Sequence, residues 1–225
     1  MPKIFCPNCG ELRSEDISVY NAALRKQNIA VSPVYPTCKR CQALVSVEKS
    51  YRGGAVIVLN GTCGSGKSTV AEALTAQYGY FAIDGDCATQ ALKQKLDPQD
   101  PSFRAKVEFN SAEMLDEIAF EIDCLRLLGD KIVLAHIVLP QDIDRFIHIF
   151  RARGLAYSFC LLQPSYEVAV ARCQTRTCHQ TITPESYVRY YDEKLRNAPG
   201  FTMIDNSALS LDETVQAVLL APKEE

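Results

Sequence analysis

Gly61-Thr62-Cys63-Gly64-Ser65-Gly66-Lys67-Ser68-Thr69 spells a complete phosphate-binding loop: a glycine, four residues, then Gly-Lys-Ser. Its flanks agree with it. Ala55-Val-Ile-Val-Leu-Asn60 is a short β-branched apolar run that reads as a buried strand, and the residues from Ser68 to Ala76 read as the helix that follows. The residue types follow from the chemistry. Glycines let the backbone wrap a triphosphate with several N–H groups turned inward, and the helix N-terminus adds partial positive charge. Lys67 has the reach for the β- and γ-phosphates, and the Ser68 hydroxyl suits Mg²⁺. A glycine-rich turn that binds nothing is the competing reading, and the strand and helix on either side oppose it.

The N-terminus carries a second pattern. Cys6-Pro-Asn-Cys9-Gly10 and Cys38-Lys-Arg-Cys41 are two CxxC pairs with 28 residues between them. Each pair suits a tight turn that aims two thiolates at one ion, and two such turns complete a closed tetrahedral zinc site. Disulfides are the rival. No secretory signal precedes the segment and a nucleotide-using protein works in a reducing compartment, so structural zinc is the expectation and a catalytic metal is not.

Composition bounds the rest. With 225 residues and 47% apolar side chains, the chain can bury one substantial core and a small appendage. No apolar run approaches the roughly 20 residues of a spanning helix, so a cytoplasmic protein without membrane contact is expected. Residues 1–50 hold seven basic against four acidic side chains, while the whole chain is at −3. A mildly basic ribbon permits a nucleic-acid or protein contact, but its composition offers no aromatic platform to support one. Ser50-Tyr-Arg-Gly-Gly54 marks the boundary between a zinc ribbon, 1–50, and a second unit, 54–221.

In that unit five apolar runs alternate with helical patterns. Strands are expected at 55–60, 80–84, 132–138, 156–162 and 201–205, with helices at 67–78, 110–128, 141–152, 165–174, 184–196 and 211–220. This alternation predicts an α/β fold with a five-stranded parallel sheet between helices. Thr183-Pro-Glu reads as a helix cap with proline at the first helical position, and Ser210-Leu-Asp-Glu213 as a capping box. Ligands of such sheets gather at the carboxyl ends of the strands. The phosphate loop, Asp84-Gly-Asp86, His136 to Gln141, and Asn206-Ser207 then fall along one rim.

Gly61 to Thr69, Ile83-Asp-Gly-Asp86, and Leu162 to Arg172 with Arg176 following give residues 54–221 a resemblance. They resemble the small P-loop kinases of the nucleoside-monophosphate-kinase-like class, such as shikimate, gluconate and adenylylsulfate kinases and chloramphenicol phosphotransferase. The resemblance implies ATP with Mg²⁺ and a small-molecule phosphate acceptor. It implies that Asp84 holds a water of the magnesium shell, that Asp86 orients or deprotonates the acceptor hydroxyl, and that Arg172 and Arg176 flank a lid. Residues 87–128 would cap the acceptor, with Arg104 the cation best placed for an anionic one. The chain departs from the class in three ways: the third strand ends in His136 rather than an acid, the glycine triplet of shikimate kinase is absent, and the ribbon is foreign. The alternatives are a nucleic-acid-end kinase or a nucleotide-gated binding module recruited through the ribbon. A P-loop that only regulates an interaction is a third reading, which the intact Lys67, Ser68, Asp84 and Asp86 oppose.

Overall fold

The computed structural model of the chain describes residues 3–21, 34–47, 53–175 and 183–225. The N-terminal part is made of short strands: β1 (Ile4–Cys6), β2 (Gly10–Leu12), β3 (Ile17–Asn21), β4 (Val34–Cys38) and β5 (Ser46–Val47). They pair antiparallel as the sheet β2-β1-β5 and the hairpin β3-β4. The expected boundary falls partly on residues 50–52, outside the described residues.

The remainder is an α/β unit. Its elements are β6 (Ala55–Asn60), α1 (Lys67–Tyr78), β7 (Phe81–Asp84), α2 (Gly85–Lys95), α3 (Phe103–Lys106), α4 (Ala112–Leu125), β8 (Lys131–Ala135), α5 (Ile143–Ala152), β9 (Ala156–Leu162), α6 (Tyr166–Thr175), α7 (Glu185–Leu195), β10 (Thr202–Ile204) and α8 (Leu211–Leu219). The five strands form one parallel sheet, as expected, in the order β10-β9-β6-β8-β7. Helices cover both of its faces, so its strands read as continuous apolar runs. Alternation along β6 sends Val56 and Val58 into a cluster with α2, α4 and α5, and Ile57 and Leu59 into a second with α1 and α8.

Strand order places the site. β8 and β9 flank β6 on opposite sides, so the chain reverses its direction of winding at β6 and opens a crevice at that strand's carboxyl end. The phosphate loop lies there. The structure shifts some expected boundaries. β8 stops at Ala135, because His136 to Val138 leave the sheet to bond with Asn60 and the segment around Phe109. The Asp84-Gly-Asp86 stretch, expected at the end of the second strand, runs from the last residue of β7 into a helix, α2, whose residues from 87 onward were expected only as part of the cap. Ser210 and Glu213 form the expected box. Thr183 does not cap α7: Pro184 holds the N-cap position, with no side-chain cap bond.

Candidate active site

The phosphate loop is built from glycines that only glycine satisfies. Gly61, Gly64 and Gly66 have φ of 140°, 78° and 100°. A Cβ on Gly61 would lie 2.4 Å from the Leu162 carbonyl oxygen, and one on Gly64 would lie 2.2 Å from that of Ala169. The loop is therefore pressed onto β9 and α6 by contacts no side chain would permit. Hydrogen bonds brace it from three more elements. Asn60, fully buried, accepts from the N–H groups of Gly61 (2.8 Å) and Val138 (3.1 Å) and donates to the Val138 carbonyl (2.7 Å). Thr62 donates to the Val188 carbonyl on α7 (2.9 Å), and Asn206, after β10, donates to the Ser65 carbonyl (2.9 Å). Lys67 folds back over the loop, its ammonium 2.7 Å from the Gly61 carbonyl oxygen and 2.9 Å from that of Thr62. Thr62 and Ser65 are buried behind the loop, while Cys63, Gly64, Gly66, Lys67, Ser68 and Thr69 face a cleft of about 1240 Å³.

Asp84 and Asp86 line the same cleft. Asp84 Oδ1 accepts from the N–H groups of Asp86 (2.9 Å) and Cys87 (3.2 Å), which fixes its carboxylate as the N-cap of α2. Its Oδ2 is 3.5 Å from Ser68 Oγ. Two oxygens so placed beside a phosphate loop suit an ion that takes oxygen ligands and keeps much of its water, as Mg²⁺ does. Arg104 lines the cleft from α3, and Arg172 lines it from α6 while donating to the Asn206 carbonyl (3.0 Å). Arg176 lies outside the described residues.

His136, at the position where an acid was missing, is a core residue. It is 2% exposed, its Nε2 donates to the Phe109 carbonyl (2.9 Å) and faces Asn110 Oδ1 (3.2 Å), and burial pushes its pKa down to about 4. Two acceptors at Nε2 fix the tautomer with that nitrogen protonated. The ring abuts Gly85, where a Cβ would sit 2.0 Å from Nδ1. His136 thus ties the segment beyond α3 to the turn between the two aspartates. Sequence reading missed Asn60, whose partners lie up to 78 residues away. It also missed Tyr187, Tyr190 and Tyr191, whose spacing on one helix was the available signal.

The four N-terminal cysteines converge, all sulfurs within 4.8 Å of one another. Cys6–Cys41, Cys9–Cys41 and Cys9–Cys38 are separated by 3.4, 3.6 and 3.8 Å. A disulfide needs about 2.0 Å, whereas sulfurs at the corners of a tetrahedron around zinc stand about 3.8 Å apart. The donor set and spacing fit that ion. Both knuckles repeat one shape: the residue after the second cysteine is left-handed, Gly10 at φ 80° and Gln42 at φ 61°. The N–H of Asn8 points at Cys6 Sγ (3.4 Å), an outer contact that orients the sulfur. The Ala43 N–H, then the Cys6 thiol, hold Cys41 down to about 7, and the Cys41 contact chiefly pushes Cys9 up to about 12.

Comparisons with known proteins bear on the fold. The fold is similar to that of the tunicamycin resistance protein of Deinococcus radiodurans, at 23% identity over 73% of this chain and 93% of that one, with a TM-score of 0.51. A sugar kinase from Janibacter matches at 18% identity over 74% and 92%, with a TM-score of 0.51. A gluconokinase from Sinorhizobium meliloti matches at 25% identity over 75% and 91%, with a TM-score of 0.47. No curated protein matches the chain in sequence. The sequence profile described as an AAA domain matches residues 56–196, from the start of β6 through the phosphate loop to the end of α7. The chain belongs to that AAA-domain family.

Proposed function

We propose that the protein is an ATP-dependent P-loop phosphotransferase that moves the γ-phosphate to a hydroxyl or phosphate group of a small molecule. One observation supports this above the others: the loop, Ser68, Asp84, Asp86 and Arg104 share a single cleft. At about 1240 Å³ it is larger than the roughly 300–1,000 Å³ of an ordinary small-molecule site, which leaves room for a second ligand beside the nucleotide.

The loop N–H groups and Lys67 hold the β- and γ-phosphates, and Ser68 with Asp84 would hold Mg²⁺, which supplies charge neutralisation at the phosphates. Asp86 takes the proton of the acceptor hydroxyl as its oxygen bonds to the γ-phosphorus and the bond to the β–γ bridging oxygen breaks, releasing ADP. Arg172, with Arg176 beyond it, neutralises charge on the moving phosphoryl group from the α6 side, and Arg104 meets the acceptor. The four cysteines hold one structural zinc, with β1 to β5 gathered around it in a ribbon whose bounds we set at 1–50, attached to the unit at 54–221.

The test is ADP release from Mg-ATP against a panel of nucleosides, sugars and sugar acids. At least one acceptor is expected to stimulate it, and Asp86→Asn is expected to abolish transfer while an ATP analogue still binds. Failure of the wild-type protein to bind nucleotide overturns the reading. Elemental analysis should find about one zinc per chain, and replacing Cys6 or Cys38 should release it.

A further inference from the structure

Past Asp86 the cleft is walled by aromatic rings that phosphate chemistry does not use. Tyr187 and Tyr191, one turn apart on α7, meet edge to face with centroids 4.8 Å apart, and Tyr190 meets Tyr191 at 5.1 Å. From the other side Phe109 meets Tyr191 at 5.9 Å, and the Phe109 carbonyl is the group His136 holds. All four rings line the cleft together with Asp86 and Arg104. The cluster is buried at its root and open at its tip: Tyr191 is 9% exposed, Tyr190 50%. Burial, then contact with Tyr191, pushes the Tyr187 hydroxyl well above its ordinary range, so that ring presents a neutral phenol to the cleft.

We propose that this wall is the acceptor platform and that the acceptor is a ring-form sugar, free or carried in a nucleoside. One face of the ring lies on Tyr187 and Tyr190, and one hydroxyl turns to Asp86. The inference rests on the phosphotransferase reading and narrows it. A sugar ring offers a C–H face to aromatic carbon and hydroxyls around its edge, matching a surface of phenol rings bordered by Asn110 and Gln141. An open-chain acid offers no continuous apolar face, and it loses more rotational freedom on binding. Nor does the cleft favour an anionic acceptor, since its four cations, Lys67, Lys93, Arg104 and Arg172, are matched by Asp84, Asp86, Glu108 and Asp142, and Lys67 and Arg172 stand on the phosphate side.

The chain has no tryptophan and three of its ten tyrosines stand on this wall, so the part of the tyrosine emission that Tyr190→Ala removes reports on it. Full-length protein holding a non-hydrolysable ATP analogue is titrated with glucose, uridine and gluconate, and the same three are assayed for ADP release. Saturable quenching by glucose or uridine is expected, with kcat/KM at least about tenfold above gluconate. Preference between the two assigns the free sugar or the nucleoside. Because Tyr190 is half exposed, Tyr190→Ala should fold. It should raise KM for the ring acceptor about tenfold with little change in kcat, weaken quenching, and leave analogue affinity unchanged, and Tyr190→Phe should restore KM. ADP release stimulated by gluconate rather than by either ring overturns this inference and leaves the phosphotransferase standing, as does a ring KM insensitive to Tyr190→Ala. A protein that binds no ATP analogue overturns both.

Discussion

Lys67 is preorganised by the loop it serves: two carbonyl oxygens of that loop already hold its ammonium. Lys67→Ala removes the charge from the phosphates and leaves those carbonyls without their donor, so ATP turnover should fall at least about 100-fold in an ADP-release assay, the scale of one lost electrostatic contact in an active site. His136 predicts a pH effect of the opposite kind to a charged site residue. Its folded pKa of about 4 lies below the ordinary histidine value of 6.5, so the unfolded chain binds the extra proton between those limits. Its contribution is complete above pH 6.5 and is lost as pH falls toward 4, at about 2 kcal/mol between pH 7 and pH 5. Urea unfolding at the two pH values should show that loss, and His136→Asn should flatten it. The phosphate loop was legible because its chemistry sets consecutive residues. His136 was legible only as a gap in a pattern, since nothing local says that its partner is a carbonyl 27 residues earlier.

At the scale of elements, short apolar runs translated well because the sheet is buried on both faces, and β6 and β9 span the residues their sequences mark. The ends translated less well where a distant partner decides them. β8 stops early because Asn60 captures the backbone of Val138. α7 starts at Glu185, where proline rather than threonine occupies the cap. The two knuckles show the opposite case, a local rule broken in sequence and kept in structure. Gly10 meets the left-handed requirement at no cost, while Gln42 meets it at φ 61° with a Cβ. Replacing Gln42 with glycine should relieve a strain of about 1 kcal/mol. The measurement is the free zinc concentration at half-saturation in a competitive chelator titration: Gln42→Gly should bind about fivefold tighter, and unchanged affinity would mean the fold elsewhere absorbs the strain.

Across the whole molecule, the cysteine unit and the α/β unit are joined by shared apolar packing as well as by chain. Leu44, between the second knuckle and β5, packs against the main core cluster, and Leu127, just past α4, packs into the cluster around Cys6 and Cys38. The far end of α4 reaches the cleft through Ser111, so one helix spans from the cysteines to the acceptor rim. At its last turn, Asp123 takes a bidentate pair from Arg153 (2.8 and 2.7 Å), and Arg126, its C-cap, reaches the carbonyls of Gly53 and Arg153, which holds the entry to β6. Sequence reading drew the two units as separable, because the apolar residues that join them are single leucines with no pattern of their own. Their packing predicts a linked stability. Stripping zinc with a chelator should unfold the strands around the cysteines and uncover Leu44 and Leu127, removing about 3 kcal/mol of apolar burial from the core. For a chain of this size that lowers the melting temperature of the core by roughly 6–12 °C. Scanning calorimetry with and without chelator reads it, provided nucleotide is absent so that binding does not mask the shift. A core transition that stays in place after the metal leaves would mean the cysteine unit only rests on α4, and that its zinc supports nothing beyond itself.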